Sequence, residues 1–251
     1  MELIPDTWDS PPNHPVLTSA DVHVWKSPLN PPMLLVRNLE QSLAPDERDR
    51  ADRFVRAEHR NRFIVGRGVL RTILGGYLGR DPAQLHFRYS PSGKPALSAE
   101  SGSHSIRFNV SHTRDIALYA VTIGREIGVD IERIRADFGT AEIAARFFSG
   151  REVAALCALP PPYRLEAFFT CWTRKEAYLK ARGEGLSHPL DRFTVSLAPG
   201  ERAALLEVLD DPKETARWSV RQLFPGADHV AALAVEGRDW HLKCLQWDGR
   251  V

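Results

Sequence analysis

The chain has 251 residues, enough for one large domain or two small ones, and 33 Lys and Arg against 32 Asp and Glu leave a formal net charge of +1. This balance disfavours a general nucleic-acid binder. No apolar run reaches the roughly 18 residues of a membrane-spanning helix, and the N-terminal residues do not resemble a signal peptide. The three cysteines lack a CxxC spacing, so neither a disulfide framework nor a zinc site is predicted, and we expect a cytoplasmic protein that binds no nucleic acid and no membrane.

The N-terminal region is rich in proline, because seven of the 18 prolines fall within the first 32 residues. This density predicts loops and extended segments around one strand, residues 22–25. Residues 44–78 are helical in character. We expect a break in this helix near residues 59–61 and an end at Gly75 and Gly76.

The remaining chain predicts a mixture of strands and helices. Strands are predicted over residues 106–110, 116–122, 127–131, 218–223, 230–235 and 241–247. Helices are predicted near residues 141–148, from Ser149 onward, and over residues 163–182, with a glycine end at Gly183 and Gly185. The second of these begins with Ser-Gly-Arg-Glu, a capping box in which Glu152 caps the backbone of Ser149. A weak internal repeat between residues 116–121 and 230–235 favours two similar α+β halves, 1–124 and 125–251.

Three carboxylates stand at positions where a folded chain either exposes them to solvent or neutralises them. Asp130 and Glu132 alternate along a predicted strand, so they project from the same face. Glu176 falls near the centre of an apolar helix stripe that consists of Leu165, Phe168, Phe169, Trp172 and Leu179. Its partner is either Lys180, in an ordinary i,i+4 salt bridge, or a metal ion. Taken together, the three acids match an oxygen-only site for Mg²⁺ that accepts substrate phosphates.

Cations are available for a polyanionic ligand. Six arginines lie between positions 53 and 71 and indicate either a solvated helix face or an anion-binding surface. The other candidates are Lys94, His112, Lys175 and Lys180. No P-loop, GxGxxG or kinase motif accompanies them.

Two ordered motifs resemble the paired signature of the 4'-phosphopantetheinyl transferases. The first is Gly128-Val129-Asp130-Ile131-Glu132, and the second is Trp-Thr-Arg-Lys-Glu-Ala-Tyr-Leu-Lys at residues 172–180. Three further segments resemble the family, namely Gly93-Lys94-Pro95, Asn109-Val110-Ser111-His112 and Arg146-Phe147-Phe148-Ser149. The length matches the larger class, which activates peptide synthetases such as surfactin synthetase.

This resemblance implies a monomer of two pseudo-symmetric α+β halves, with coenzyme A and Mg²⁺ in the cleft between them. Mn²⁺ is expected to substitute for Mg²⁺. The enzyme would move the phosphopantetheine arm of coenzyme A onto a serine of an acyl or peptidyl carrier protein and release adenosine 3',5'-bisphosphate.

The resemblance also implies roles for individual residues. Asp130, Glu132 and Glu176 match the metal ligands, and Glu176 is in addition the candidate general base. Lys180 matches the lysine that meets the pyrophosphate and protonates the leaving phosphate. The positions that match or adjoin the coenzyme A contacts are Arg50, Arg62, Lys94, Ser111 and His112.

The sequence also departs from the family. Glu47 stands where some relatives carry a basic residue, and Phe63 replaces a hydroxyl beside the nucleotide, which puts the contacts of the 3'-phosphate in question. Glu152 is a rival general base, although its capping box already gives it a structural role. The candidates for docking the carrier are three arginines and four apolar residues, namely Arg146, Arg151, Arg182, Phe147, Phe148, Leu156 and Leu186.

Two other functions compete with this interpretation. The same three acids would serve another Mg²⁺-dependent phosphodiesterase or a nucleotidyl transferase, with water or a nucleotide as the acceptor. Alternatively, residues 44–78 form an arginine-rich face for RNA or DNA, and the acids are ordinary surface residues.

Overall fold

The computed structural model describes residues 7–12, 15–91, 93–101, 105–136, 139–183 and 189–250. Its helices are α1 (Met33–Gln41), α2 (Pro45–Asp52), α3 (Ala57–Leu78), α4 (Thr140–Phe147), α5 (Gly150–Ala158), α6 (Pro161–Arg182) and α7 (Glu214–Arg217). Its strands are β1 (Asp21–Pro28), β2 (Phe87–Tyr89), β3 (Pro95–Leu97), β4 (Ile106–His112), β5 (Ile116–Ile123), β6 (Ile127–Arg133), β7 (Phe193–Val195), β8 (Leu205–Val208), β9 (Trp218–Leu223), β10 (His229–Glu236) and β11 (His241–Gln246). The predicted α+β class is confirmed.

Two sheets form the centre of the molecule. The first has the order β11-β1-β5-β4, in which β1 runs parallel to β11 and antiparallel to β5. The second is antiparallel and has the order β6-β10-β9. Because β11 pairs with β1, the end of the chain returns to the sheet of the N-terminal half, and a boundary at residue 124 stays a prediction.

The core consists of three groups of buried side chains. One lies between the first sheet and α3, and includes Val69 and Tyr119. A second lies between α6 and the second sheet, and includes Phe168 and Ala232. A third contains side chains from both sheets, among them Val24 of β1 and Leu233 of β10. Each sheet therefore carries a long helix on one face and meets the other sheet through its opposite face.

The weak sequence repeat falls on two comparable strands. Residues 116–121 lie in β5 and residues 230–235 lie in β10. Both strands have eight residues, with half-buried ends and six buried residues between them. The repeat is therefore accompanied by the same burial pattern, as expected for an inner strand covered on both faces.

Two N-terminal expectations were wrong, and one helix was not predicted. Helix α1 begins at Met33, directly after the proline-rich first 32 residues. The break in the 44–78 helix falls at residues 53–56, between α2 and α3, and not at 59–61. Helix α3 ends at Leu78, with the left-handed Gly79 after it. Gly75 continues the helix, and an added Cβ there would lie 2.7 Å from the carbonyl oxygen of Arg80.

The ends of two C-terminal helices match the sequence expectations. The backbone N–H of Ser149 donates to Oε2 of Glu152 at 2.8 Å, and the N–H of Glu152 donates to Oγ of Ser149 at 3.3 Å. Helix α6 ends at Arg182, and Gly183 follows it with a φ of 75°. Gly185 lies outside the described residues. In the described part of the chain, no helix is long and apolar enough to cross a membrane.

Candidate functional site

Helix α6 crosses strand β6 at Gly128, where the two backbones come into direct contact. A Cβ added to Gly128 would lie 2.1 Å from the carbonyl oxygen of Ala177 and 2.3 Å from the backbone nitrogen of Ala181. These distances are too short for any side chain, so glycine is required for this approach. The contact fixes which part of α6 faces β6.

This approach brings the two predicted acids of β6 close to Glu176 of α6. Asp130 is buried, and the Nζ of Lys180 lies 2.6 Å from its Oδ1. Lys180 thus forms its ion pair with Asp130; among the described residues, the i,i+4 salt bridge with Glu176 does not form. The Oγ of Ser111 also donates to Oδ1 of Asp130, at 2.9 Å. The other oxygen of Asp130, Oδ2, is buried without a hydrogen-bond partner.

The three carboxylates influence one another electrostatically. Burial, together with the nearby charge of Asp130, raises the pKa of Glu132 to about 7. Burial and the charge of Asp130 also raise the pKa of Glu176. Lys180 opposes both shifts but does not cancel them. Burial and mutual repulsion therefore disfavour the charged forms of Glu132 and Glu176.

The donors of this cluster have the chemistry that Mg²⁺ prefers. All three are carboxylates, and Oδ2 of Asp130 is a buried acceptor without a partner. Across the described residues, no group of three or more His, Cys, Asp or Glu side chains is arranged to hold a metal ion. The carboxylate cluster therefore suits Mg²⁺ by the type and charge of its donor atoms and not by their present positions.

A cavity of about 650 Å³ lies between α3, the α2–α3 connection and the end of β4. Three predicted cations line it, namely Arg50, Arg62 and His112. Arg62 pairs with Glu58, while its Nε is buried without a hydrogen-bond partner. Basic side chains with an unsatisfied buried donor make this cavity a suitable site for a phosphorylated ligand.

Aromatic rings form another wall of the same cavity. The rings of Phe54 and Phe63 lie 5.6 Å apart, and the guanidinium of Arg50 lies 5.2 Å from the centre of the Phe63 ring. His59 and Arg114 line the cavity as well. Phe54, His59 and Arg114 were not predicted as site residues from the sequence. The sequence signal that could have identified Phe54 is an aromatic residue between two arginines, in the break between α2 and α3.

The structure does not bring Lys94 to this group of cations. Its Nζ donates to the carbonyl oxygens of Ala181 at 3.1 Å and Ile127 at 3.3 Å, and lies 3.5 Å from Oε2 of Glu126. Lys94 instead lines a second cavity, of about 500 Å³. Ser111 likewise faces Asp130 and Lys180. Two of the five residues assigned to the nucleotide thus point elsewhere.

Glu47, which departs from the family pattern, has a structural role. It is buried, and its carboxylate accepts from the backbone N–H of Ala44 at 3.0 Å. It also pairs with Arg71 at 2.7 Å and with Arg67 at 3.2 Å. These contacts join α2 to α3 behind the cavity.

The surroundings of Glu152 give it a structural role. It is 1% exposed, and its carboxylate accepts from the Nζ of Lys175 and the backbone N–H of Val195 at 2.8 and 2.7 Å. Lys175 also donates to the carbonyl oxygen of Leu190 at 2.8 Å. Both side chains are therefore part of the core, and Lys175 does not face the carboxylate cluster although it precedes Glu176 in the sequence.

The expected docking segment is only partly exposed. Phe148 and Leu156 are buried, Phe147 is half-buried against Trp172, and Arg151 is exposed. Arg182 donates to the hydroxyl of Tyr178 at 3.2 Å, so it is already engaged. Leu186 lies outside the described residues.

Comparisons with known proteins match the same family in both halves of the chain. Residues 126–234 match the model described as the 4'-phosphopantetheinyl transferase superfamily, and residues 30–123 match 4'-phosphopantetheinyl transferase, N-terminal. The 4'-phosphopantetheinyl transferase HetI of Nostoc sp. is 41% identical over 96% of this chain and 98% of its own.

Two more distant similarities cover less of the chain. The 4'-phosphopantetheinyl transferase Sfp of Bacillus subtilis is 32% identical over 62% of this chain and 66% of its own. A crystal structure of Thermotoga maritima holo-[acyl-carrier-protein] synthase aligns with a TM-score of 0.37 and 21% identity, over 45% of this chain and 63% of that chain.

Proposed function

Because this chain belongs to the 4'-phosphopantetheinyl transferase superfamily, we propose that it transfers the 4'-phosphopantetheine group of coenzyme A to a serine of an apo carrier protein. The acceptors are acyl or peptidyl carrier proteins of fatty-acid, polyketide or nonribosomal peptide synthesis. The observation that carries the proposal is the carboxylate cluster of β6 and α6 beside Lys180. We propose further that the enzyme works as a cytoplasmic monomer.

The carboxylates have two tasks in this proposal. Asp130, Glu132 and Glu176 hold Mg²⁺, or Mn²⁺ in its place. When bound, the ion neutralises charge on the phosphoryl group that is transferred. Glu176 also accepts the proton of the carrier serine while the serine oxygen forms its bond to phosphorus.

Lys180 serves the leaving group. As the new bond forms, the bond between phosphorus and the oxygen of adenosine 3',5'-bisphosphate breaks, and negative charge collects on that oxygen. The side chain of Lys180 is 29% exposed, and its ammonium lies between Asp130 and Ser111, so it can neutralise this charge and donate a proton.

The cavity between α2, α3 and β4 suits the adenine nucleotide of coenzyme A. Arg50, Arg62 and His112 supply charge for its phosphates, and the rings of Phe54 and Phe63 supply an apolar wall for the base. Lys94 is proposed as a further contact by family resemblance. The ammonium of Lys94 can bind a phosphate only if it gives up its hydrogen bonds to the carbonyl oxygens of Ile127 and Ala181.

One experiment separates this function from a phosphodiesterase that uses the same acids. Purified protein is incubated with coenzyme A and Mg²⁺, with and without an apo carrier, and adenosine 3',5'-bisphosphate is measured by chromatography. We expect the product only when the apo carrier is present. Product formation at the same rate without a carrier would identify water as the acceptor and refute the proposal.

Removal of cavity cations should weaken coenzyme A binding. Arg50→Ala and His112→Ala should each raise the KM for coenzyme A by about tenfold or more, because a charged hydrogen bond contributes roughly 1.5–3 kcal/mol. The kcat should stay within about twofold of the wild type. Steady-state kinetics measure both constants. Arg53→Ala is the matched control, since Arg53 is exposed and outside the cavity. A fall in kcat with unchanged KM would contradict these roles.

Arg151 offers a test of the carrier-docking surface. Carrier domains present their serine at the start of an acidic helix, so Arg151→Glu should raise the carrier KM, most strongly at low salt where charge attraction is least screened. Binding of coenzyme A should not change. Arg238→Glu, an exposed arginine on the β10–β11 connection, serves as the control. An unchanged carrier KM for several acidic carriers would place the docking surface elsewhere.

A further inference from the structure

Strands β4 and β6 meet where the two halves of the molecule join. In the described sheets, β4 pairs with β5 and β6 pairs with β10, and each strand is the edge of its own sheet. No backbone ladder between β4 and β6 is present among the described strands. Side chains of β4 instead bond to the edge of β6 that does not pair with β10.

These side-chain bonds follow a regular spacing. The Oδ1 of Asn109 accepts from the backbone N–H of Val129 at 2.9 Å, and the Oγ of Ser111 accepts from the N–H of Ile131 at 3.4 Å. Each step of two residues along β4 corresponds to two residues along β6. Both side chains are buried. We call Asn109 and Ser111, with the β6 residues that they bond, the seam.

The seam reaches the carboxylate cluster directly. The hydroxyl of Ser111 donates to Oδ1 of Asp130 at 2.9 Å and accepts from the Nζ of Lys180 at 2.9 Å. Ser111 thus bonds a strand, a carboxylate and an ammonium that all belong to the second half of the chain. Asn109 bonds only the strand backbone, one step before Asp130.

The opposite face of β4 belongs to the nucleotide cavity. Successive side chains point to opposite faces of a strand, and Val110 and His112 line the cavity. One strand therefore holds the cavity on one face and Asp130 on the other. Any shift of β6 along the seam would change the distance between the bound nucleotide and the carboxylates.

We propose that Asn109 and Ser111 are positioning residues, which hold Asp130 of the second half in register with the nucleotide cavity of the first half. This inference rests on the proposed function. Transfer between groups on different halves needs both to be aligned, and a displacement of about 1 Å can reduce a rate by about 100-fold. The two buried acceptors supply that alignment without a continuous backbone ladder.

The test compares Asn109→Ala and Ser111→Ala with two further variants. Ser111→Thr keeps the hydroxyl. Thr122→Val is the matched control, because Thr122 is buried in the same sheet and its hydroxyl donates to the carbonyl oxygen of Asp21 in β1 and not to β6. Three quantities are measured, namely transfer kinetics, coenzyme A affinity by calorimetry without a carrier, and amide hydrogen exchange of residues 127–133.

Both alanine variants should lower kcat by about tenfold or more, while the dissociation constant of coenzyme A stays within about twofold. Exchange of the Val129 and Ile131 amides should become faster. Ser111→Thr should recover most of the rate, and Thr122→Val should lower the thermal midpoint without a matching loss of kcat.

Two results would overturn the inference. If Ser111→Ala weakens coenzyme A binding and leaves kcat unchanged, Ser111 is a direct ligand of the nucleotide. If exchange of residues 127–133 stays at the wild-type level in both alanine variants, the seam does not hold β6. The exchange measurement does not require catalytic turnover, so it tests the seam independently of the proposed function. Failure of the proposed function would appear instead as a wild-type protein that transfers no phosphopantetheine.

Discussion

Glu176→Gln should lower the kcat of phosphopantetheine transfer by about 1,000-fold or more, since a general base alone contributes roughly 100- to 10,000-fold. The change removes both the proton acceptor and one of three charges that hold the metal, but it preserves the shape of the side chain. The fold should survive, because the burial and repulsion that raise the pKa of Glu176 already disfavour its charged form. Transfer kinetics and a thermal melt measure the two effects.

The control for this variant is Glu166→Gln. Glu166 lies on the same helix but is exposed, ahead of the segment that contacts β6. It should retain wild-type kcat. If Glu176→Gln keeps more than about a tenth of the wild-type kcat, the role of general base is refuted, because even a modest base contributes more than that.

Gly128→Ala should destabilise the protein by about 3 kcal/mol or more, at the upper end of the cost of overpacking. The new methyl group would overlap backbone atoms of Ala177 and Ala181. Backbone atoms within a helix or strand cannot shift as easily as a side chain can. Helix α6 must therefore separate from β6, and the carboxylate cluster separates with it. Chemical denaturation and transfer kinetics should both show the loss.

Gly150→Ala is the matched control for that prediction. An added Cβ at Gly150 meets no atom within 4 Å, and the residue lies in the first turn of α5. This variant should match the wild type to within about 0.5 kcal/mol. Wild-type stability and activity in Gly128→Ala would mean that α6 does not approach β6 as closely as described.

Local sequence signals predicted those features that depend on neighbouring residues. Strand alternation placed Asp130 and Glu132 on one face, and the Ser149–Glu152 capping box formed as expected. Helix α1 was missed because its prolines suggested a loop, although they precede the first turn. The break at residues 53–56 has neither glycine nor proline to mark it.

Contacts between distant residues were not predictable from the sequence in the same way. Lys175 and Glu176 are adjacent, yet Lys175 enters the core to meet Glu152. Helix rotation separates neighbours by about 100°, and only the packed partners decide which one faces the site. The position of Lys94 at Ala181, 87 residues away, likewise depends on the tertiary arrangement.

The intact mass of an apo carrier protein provides the most direct measurement of the central claim. The carrier is incubated with this protein, coenzyme A and Mg²⁺, and a second carrier with its acceptor serine changed to alanine is treated in parallel. The first carrier should gain the mass of one phosphopantetheine group, and the second should gain none. An unmodified first carrier, or equal modification of both, would contradict the proposed transfer to a carrier serine.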